Sequence, residues 1–536
     1  MKSTMQYRDH RLERLVVYST IETKLLLKFF TNIDSDVYAA RDAMPTSLWA
    51  FLEGGYSRSE LSMRDRFLAV FKEMTTSDEE YITLLDDLIG DEYQSEVYSK
   101  VMDKAEQFMR KWAVEYGHSS LKDSAVDRLA IENVSIRATK ILENSSLGAF
   151  QEKSTRYMNF SVDNFYIPES EFVGDAERQI LTDAMVLYRE VLDAATEFYK
   201  TQISPMDFKT EAAFLRTCKA KAFDEARYLL PTSTKTSLGV TLPTRETERW
   251  LSELFASPEK EIRDLAELIK TECVKINPGL LKHVTANAYS VTKTLPTSLK
   301  LYNSSEKPNP KDISNLALIL PSTGYIEGLM GMAYLASCGV FDPTSVDEDD
   351  VLNGMLEVLE ARGKYDEFPK WTAFGDNIFR FVIDIGAYRD VQRHRVGTQI
   401  PSDWCPSYGY SIPRFLEEEV AVELKAKYIA LCERIEDVTG KLYKNDRFVA
   451  AYFLILGTNI NVVYNCNFRQ LAYFIELRSG PSGHYSYRTL AQGMYELVKD
   501  NYPLISKYIR VDMSGYSDRR AAEEKIQEKI QKAKES

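Results

Sequence analysis

Arg389, Arg393, His394 and Arg395 fall within the seven residues RDVQRHR, in a chain whose formal net charge is -13. On one helix Arg389 and Arg393 would share a face and repel by a few tenths of a kcal/mol, which Asp390 offsets only in part. Guanidinium forks bind phosphate through paired N–H groups, and an imidazole between them adds a donor that titrates near neutral pH. The run therefore points to an anion or cofactor site, against the plainer reading of a basic helix end favoured by the helix dipole and neutralised by salt bridges. A second polar group lies in AFQEKSTRY, residues 149–157. In extended backbone alternate side chains point the same way, so Glu152, Ser154 and Arg156 would form one row. Acceptor, hydroxyl and guanidinium together suit a phosphorylated, hydroxylated ligand such as a nucleotide, and the alternative is an ordinary polar surface loop.

Other chemistries lack their residues. The sequence has no GxxxxGK[ST] loop, no HExxH, no GxSxG and no GxGxxG after a strand. With 5 histidines, His10 and His283 among them read as structural or surface residues, a multi-histidine metal centre is not expected, and no metal ligands are assigned. The 6 cysteines are scattered without a CxxC pair, which fits a reducing compartment. The acidic balance argues against DNA or RNA as a partner, although a focused basic pocket could still hold a small anion. No window carries the roughly 18 uncharged apolar residues of a membrane span, and MKSTMQYRDHRLERL is not a leader, so a cytoplasmic protein is expected.

These groups need elements to hold them. At 536 residues, with 44% hydrophobic and 27% charged residues, the chain has the profile of a soluble globular protein with two domains. A Pro-, Ser-, Asn- and Lys-rich stretch suggests a linker at 294–312, giving domains at 1–293 and 313–515 and a charged tail at 516–536. The halves resemble one another: Arg263, Leu265, Ala266 and Pro278 match Arg488, Leu490, Ala491 and Pro503 at one offset, and Arg245 pairs with Arg469 after a one-residue slip. Both halves have mostly helical periodicity, as in DAMVLYREVLDAATEFYKT and EEVAVELKAKYIALCERIEDV. VDRLAIENV and IFRFVIDIG break it; in the second, Phe379, Phe381, Ile383 and Ile385 alternate, which predicts a strand. Each is followed by a helical segment, so RHR is expected at the end of a short helix after a buried strand. The fold class is α+β, mainly helical with a small antiparallel sheet in each half.

Taken together, these segments resemble the flavin-dependent thymidylate synthases, with the signature divided between the halves. In the second half RHRVGT matches the RHR motif with Thr398 in a serine's place, but Asp403 and Cys405 stand where Ser-x-Arg should follow. In the first half Asn144, Ser145 and Ser146 stand where RHR would be, and Ala149 replaces the serine, while Glu152, Ser154 and Arg156 are kept. YGHSSLKDS is similar to the family's flavin-side Gly-His-x-Thr/Ser segment, giving His118 and Ser120. EARYLLP resembles its Ala-Arg-x-x-Leu-Pro and gives Arg227, whereas the second half has AAYFLIL. NFRQLAYFIELR supplies Asn467, Arg469 and Arg478.

What the resemblance implies is two tandem copies of one domain and an FAD enzyme that methylates dUMP at C5. Methylenetetrahydrofolate would give the one-carbon unit and NADPH the reducing equivalents. By the same resemblance, Arg393, His394 and Arg395 act on the flavin and folate, helped by His118, Ser120, Asn467 and Arg469. Glu152, Ser154, Arg156, Arg227 and Arg478 would hold dUMP. Family members are homotetramers with sites shared between subunits, so a homodimer forming a pseudo-tetramer is expected. Two alternatives remain open at this point: another flavin-dependent enzyme acting on dUMP, such as a hydroxymethylase, and a nucleotide-binding relative without turnover.

Overall fold

A computed structural model describes residues 5–9, 14–35, 37–56, 59, 61–90, 103, 107, 122–294, 296, 316–320, 323–363, 366–481 and 483–515. The expected tail at 516–536, nearly all of the expected linker, and both His118 and Ser120 lie outside these residues.

The chain divides into two compact units, one of residues 1–131, 147–151 and 238–301, the other of residues 132–146, 152–237 and 302–536. The first holds helices Thr20–Phe29, Thr46–Tyr56, Met63–Lys72 and Asp78–Ile89. Serine starts three of these: Ser19, Ser62 and Ser77 each accept a backbone N–H of the first turn, and Glu22 completes a capping box with Ser19. In its aromatic core Phe67 and Phe71 meet edge-on with centroids 4.8 Å apart, and Phe29 lies tilted 5.1 Å from Phe67. Helices Thr244–Phe255 and Lys260–Ile276 belong to the same unit, where Asn277 Nδ2 donates to buried Asp127 Oδ1 at 2.7 Å.

Of the strands, β1 (Met5–Asp9) and β2 (Arg14–Tyr18) form an antiparallel pair, and β3 (Val126–Ser135), β4 (Ala149–Glu152) and β5 (Lys235–Pro243) form a sheet of order β3-β5-β4. The boundaries between the units fall inside β3, β4 and β5. The second unit contains a four-stranded antiparallel sheet, order β6-β7-β9-β8, from β6 (Leu316–Leu320), β7 (Asp376–Asp384), β8 (Thr398–Pro401) and β9 (Asn459–Asn467). As the alternation predicts, Phe379, Phe381 and Ile383 of β7 are buried, and so are Ile460, Val462, Tyr464 and Cys466 of β9. Long helices Asp175–Gln202 and Val422–Asn445 cover this core together with Phe468–Arg478 and Tyr485–Asn501. Among the described residues no helix is long and apolar enough to cross a membrane.

One local pattern occurs twice. β3 runs into helix Ile136–Leu142 and β7 into helix Ile385–Val391, each capped by an acceptor side chain, Ser135 or Asp384, three residues before the N–H it receives. The first two N–H groups of each helix are held the same way: Ile136 and Arg137 donate to Thr234 O and Thr232 O, and Ile385 and Gly386 to Thr458 O and Leu456 O. The segments that accept these bonds then pair with each other, Thr232 N with Leu454 O and Leu456 N with Leu230 O, around an antiparallel bridge between Pro231 and Ile455. Mutual pairing of corresponding segments is the signature of a local twofold relation.

Candidate active site

Helix 385–391 ends where Gln392 N–H caps back to Tyr388 O, so Arg393 is not on the helix. The expected shared face of Arg389 and Arg393 is absent for that reason: Arg389 is buried and Arg393 exposed. The intervening turn back into β8 needs glycine at 397, where a Cβ would come within 2.6 Å of Asn465 O and 2.5 Å of the Tyr464 ring. Nor do Glu152, Ser154 and Arg156 keep one extended row. β4 stops at Glu152 and the chain turns, Tyr157 N to Ser154 O at 3.4 Å, so the three side chains go to different partners.

Glu152 ends in a buried ionic cluster. Its carboxylate meets Arg389 Nη2 at 2.8 Å and Lys140 Nζ at 3.1 Å and accepts Thr139 Oγ1 at 2.8 Å, and Lys140 also pairs with Glu143 at 2.6 Å. Burial alone would raise the Glu152 pKa, but Arg389 and Lys140 outweigh it and hold the group down at about 2. Arg395 Nε donates to Glu143 O at 3.0 Å, and burial, opposed by Glu143, lowers its pKa. Arg393 reaches no hydrogen-bonding or ionic partner among the described residues.

Arg156, Arg227 and Arg478 come from the 149–157 loop, from the turn after helix Glu211–Ala226, and from the end of helix Phe468–Arg478. Arg156 grips Asp224 with two bonds of 2.6 and 2.8 Å, while its Nη1 donates to Tyr487 Oη at 3.2 Å and its backbone N–H to Ser154 Oγ at 3.2 Å. Asp390 stands between the other two, its Oδ2 3.7 Å from Arg227 Nη1 and its Oδ1 3.9 Å from Arg478 Nη1. Arg227 is 1% exposed, yet among the described residues its Nε and Nη2 have no hydrogen-bond partner. A buried cation left with open donors is expensive unless an anion completes it. Asp384 and His484 lie in the same buried polar group: Asp384 accepts Ser486 Oγ and Ala387 N, and His484 stacks on Tyr485 at 4.2 Å with Nε2 3.3 Å from Asp224 O. Burial raises the Asp384 pKa and, together with Arg227, depresses that of His484, leaving the ring neutral.

His394 joins the two sets. Gln470, Phe474 and Arg478 recur every fourth residue on one helix face, and the imidazole lies along it. Its ring centroid is 4.8 Å from that of Phe474 and 5.6 Å from that of Tyr473. Arg478 Nε donates to His394 Nε2 at 2.8 Å, and Arg478 Nη2 donates to Asp390 O at 2.7 Å. A guanidinium only donates, so Nε2 is the acceptor and the proton sits on Nδ1, toward which the Gln470 carboxamide, 3.2 Å away, must turn its oxygen. Burial, then Arg478 and Arg395, hold the His394 pKa at about 3. Of the other expected cofactor residues, Asn467 caps its helix by accepting Gln470 N, and Arg469 is tied to Phe368 O and Glu367.

The model of a family described as "Thymidylate synthase complementing protein" matches residues 69–279 and 371–504. The chain belongs to this family. Both matched segments contribute to the arginine group: the first contains Arg156 and Arg227, the second contains RHR and Arg478. A UPF0159 protein of Chlamydia pneumoniae is 27% identical over 529 residues, covering 93% of this chain and 95% of that one. A UPF0159 protein of Thermoplasma acidophilum is 26% identical over 77% of this chain and 90% of its own. A protein of Clostridium tetani named flavin-dependent thymidylate synthase is 24% identical over 182 residues, 34% of this chain and 71% of its own. The family resemblance supplied none of Lys140, Glu143, Asp224, Asp384, Asp390, His484 and Tyr487. Asp390, beside RHR, was the one with a visible signal, as an acid inside a basic run.

Proposed function

We propose that this protein is a flavin-dependent thymidylate synthase that reductively methylates dUMP to dTMP, using FAD, methylenetetrahydrofolate and NADPH. The observation that carries the reading is the meeting of Arg227 and Arg478 at Asp390, beside the histidine of RHR, with Arg156 reaching the hydroxyl of Tyr487, whose ring lies under Arg478. The open Nε and Nη2 of Arg227 fit a phosphate, and the Ser154 hydroxyl, already accepting Arg156 N–H, keeps its proton free to donate to one. Glu152 fixes Arg389 one residue before Asp390 and so sets where that carboxylate stands. Arg156 is held by Asp224 and orders Tyr487 while facing the same space.

The donors around RHR also fit a flavin: Arg393 is an exposed cation with no partner among the described residues, next in sequence to an imidazole whose ring lies beside half-exposed Tyr473. When bound, the flavin supplies the hydride that completes the methyl group. The protein's part is to hold the pyrimidine and to place the Arg393 charge where an anionic ring needs it. Neutral His394, its Nδ1–H directed at the Gln470 carboxamide, is held fixed in a dry setting. Asn467, Arg469, His118 and Ser120 are assigned to the same cofactor by position in the motifs.

The architecture follows from duplication, one copy keeping the flavin side and the other the nucleotide side. In its favour are the repeated hydrogen bonds at the two helix starts and the Clostridium tetani relative, most of whose length aligns with a third of this chain. The domains are 1–293 and 313–515, joined at 294–312, with a tail at 516–536; the active form is a cytoplasmic homodimer. The test is purification followed by turnover: a yellow protein that converts dUMP to dTMP with the two co-substrates. Colourless protein unresponsive to FAD sinks the proposal, and mass spectrometry showing a hydroxymethyl product replaces it with the hydroxymethylase reading.

A further inference from the structure

Arg478 is the side chain that touches both the carboxylate shared with Arg227 and the histidine of RHR. Its five N–H groups lie in one rigid plane. The edge carrying Nε and Nη2 is occupied, by His394 Nε2 at 2.8 Å and Asp390 O at 2.7 Å. The remaining nitrogen, Nη1, stands 3.9 Å from Asp390 Oδ1, beyond hydrogen-bond reach. Arg227, whose Nη1 faces the same carboxylate, keeps Nε and Nη2 without a partner among the described residues at 1% exposure. An anion that satisfies Arg227 also attracts Nη1 of Arg478 and competes with Asp390 for it. Because the guanidinium moves as one plane, drawing Nη1 toward the anion turns Nε away from His394.

We propose that Arg478 is a positioning residue for His394, and that a phosphate monoester bound at the Arg227–Arg478 pair releases the imidazole Nε2 that Arg478 otherwise holds. The proposal rests on the reading that these arginines take a phosphate, and it adds an order of events. Before the nucleotide arrives, His394 is locked as the Nδ1–H tautomer between Arg478, Gln470 and Phe474. After it arrives, Nε2 is free to accept from a second ligand or from water. The charged groups facing the ring are Arg478 from the helix behind it and Arg395 from its own turn; the Gln470 carboxamide is the polar contact on the other nitrogen. None of these is acidic, so release exposes Nε2 without placing a carboxylate against it.

Nitrogen-15 NMR of histidine-labelled full-length protein reads the two tautomer nitrogens directly, and with 5 histidines the His394→Gln spectrum identifies the signal. At neutral pH the free protein should show His394 as the Nδ1–H tautomer. Inorganic phosphate or dUMP at millimolar concentration should shift its Nε2 resonance while raising the melting temperature. In Arg478→Met the Nε2 signal should already sit at its ligand-bound position and no longer respond; Arg478→Lys, which lacks the rigid plane, should also lose the response and serves if the Met variant fails to fold. Phosphate or dUMP that stabilises the protein without moving His394 overturns the proposal. So does failure of both to bind, whatever the colour of the protein, because flavin content tests the enzyme reading separately.

Discussion

Replacing Glu152 with Gln tests the buried cluster most directly, because the carboxylate holds two cations at once. Lys140 and Arg389 would keep their charges with only Glu143 left opposite Lys140. Leaving buried charge uncompensated costs about 3–5 kcal/mol in comparable pairs. The linkage argument gives the same order: Arg389 and Lys140 hold Glu152 at about 2 against 4.5 for the free group, which corresponds to a stabilisation on the order of a few kcal/mol. The sign follows from the depressed pKa: this stability is complete above the unfolded pKa and is lost as pH falls toward the folded one. Between pH 7 and about pH 3.5, the difference between wild type and Glu152→Gln should therefore narrow by roughly 1 kcal/mol. Urea denaturation followed by circular dichroism across that range measures it. A loss under 1 kcal/mol at pH 7, or a difference that stays flat down to pH 3.5, refutes the assignment of Glu152 as the counter-charge.

Arg227→Met takes a counter-charge from Asp390 and should lower stability, and the folded variant should show no stabilisation by dUMP in a thermal shift assay. Glu225 gives the opposite pH sign to Glu152: burial pushes its pKa up to about 7, so the folded state holds a proton that the unfolded chain has lost, and stability falls as pH rises from 4.5 to 7. Glu225→Gln should remove that slope in the same denaturation series. Gly397→Ala forces a Cβ against Asn465 O and the Tyr464 ring and should cost at least about 2 kcal/mol by urea midpoint, with the RHR turn displaced.

Periodicity was enough to place β7 and the helix after it, because one buried face imposes alternation on a strand and the RHR run follows where that face ends. It could not place Arg393, whose exposure depends on where the helix stops. That stop depends on a cap at Gln392 and on the close approach of residue 397 to β9, a contact nearly seventy residues away in sequence. The same limit explains the missed acids. In the sequence Asp224 looks like an ordinary helix residue and Asp384 like the end of a strand, and only folding sets one against Arg156 and the other against Ser486. Motif positions identified the arginines as a set because arginine types at fixed spacings are legible one segment at a time. Their counter-charges come from other segments, so sequence alone suggests a strongly cationic pocket where folding produces a nearly balanced one. That balance is what a site for an exchangeable anion needs. Three uncompensated arginines would repel one another, whereas Asp224 pairs with Arg156 and Asp390 stands between Arg227 and Arg478, an arrangement that the proposed phosphate would compete with.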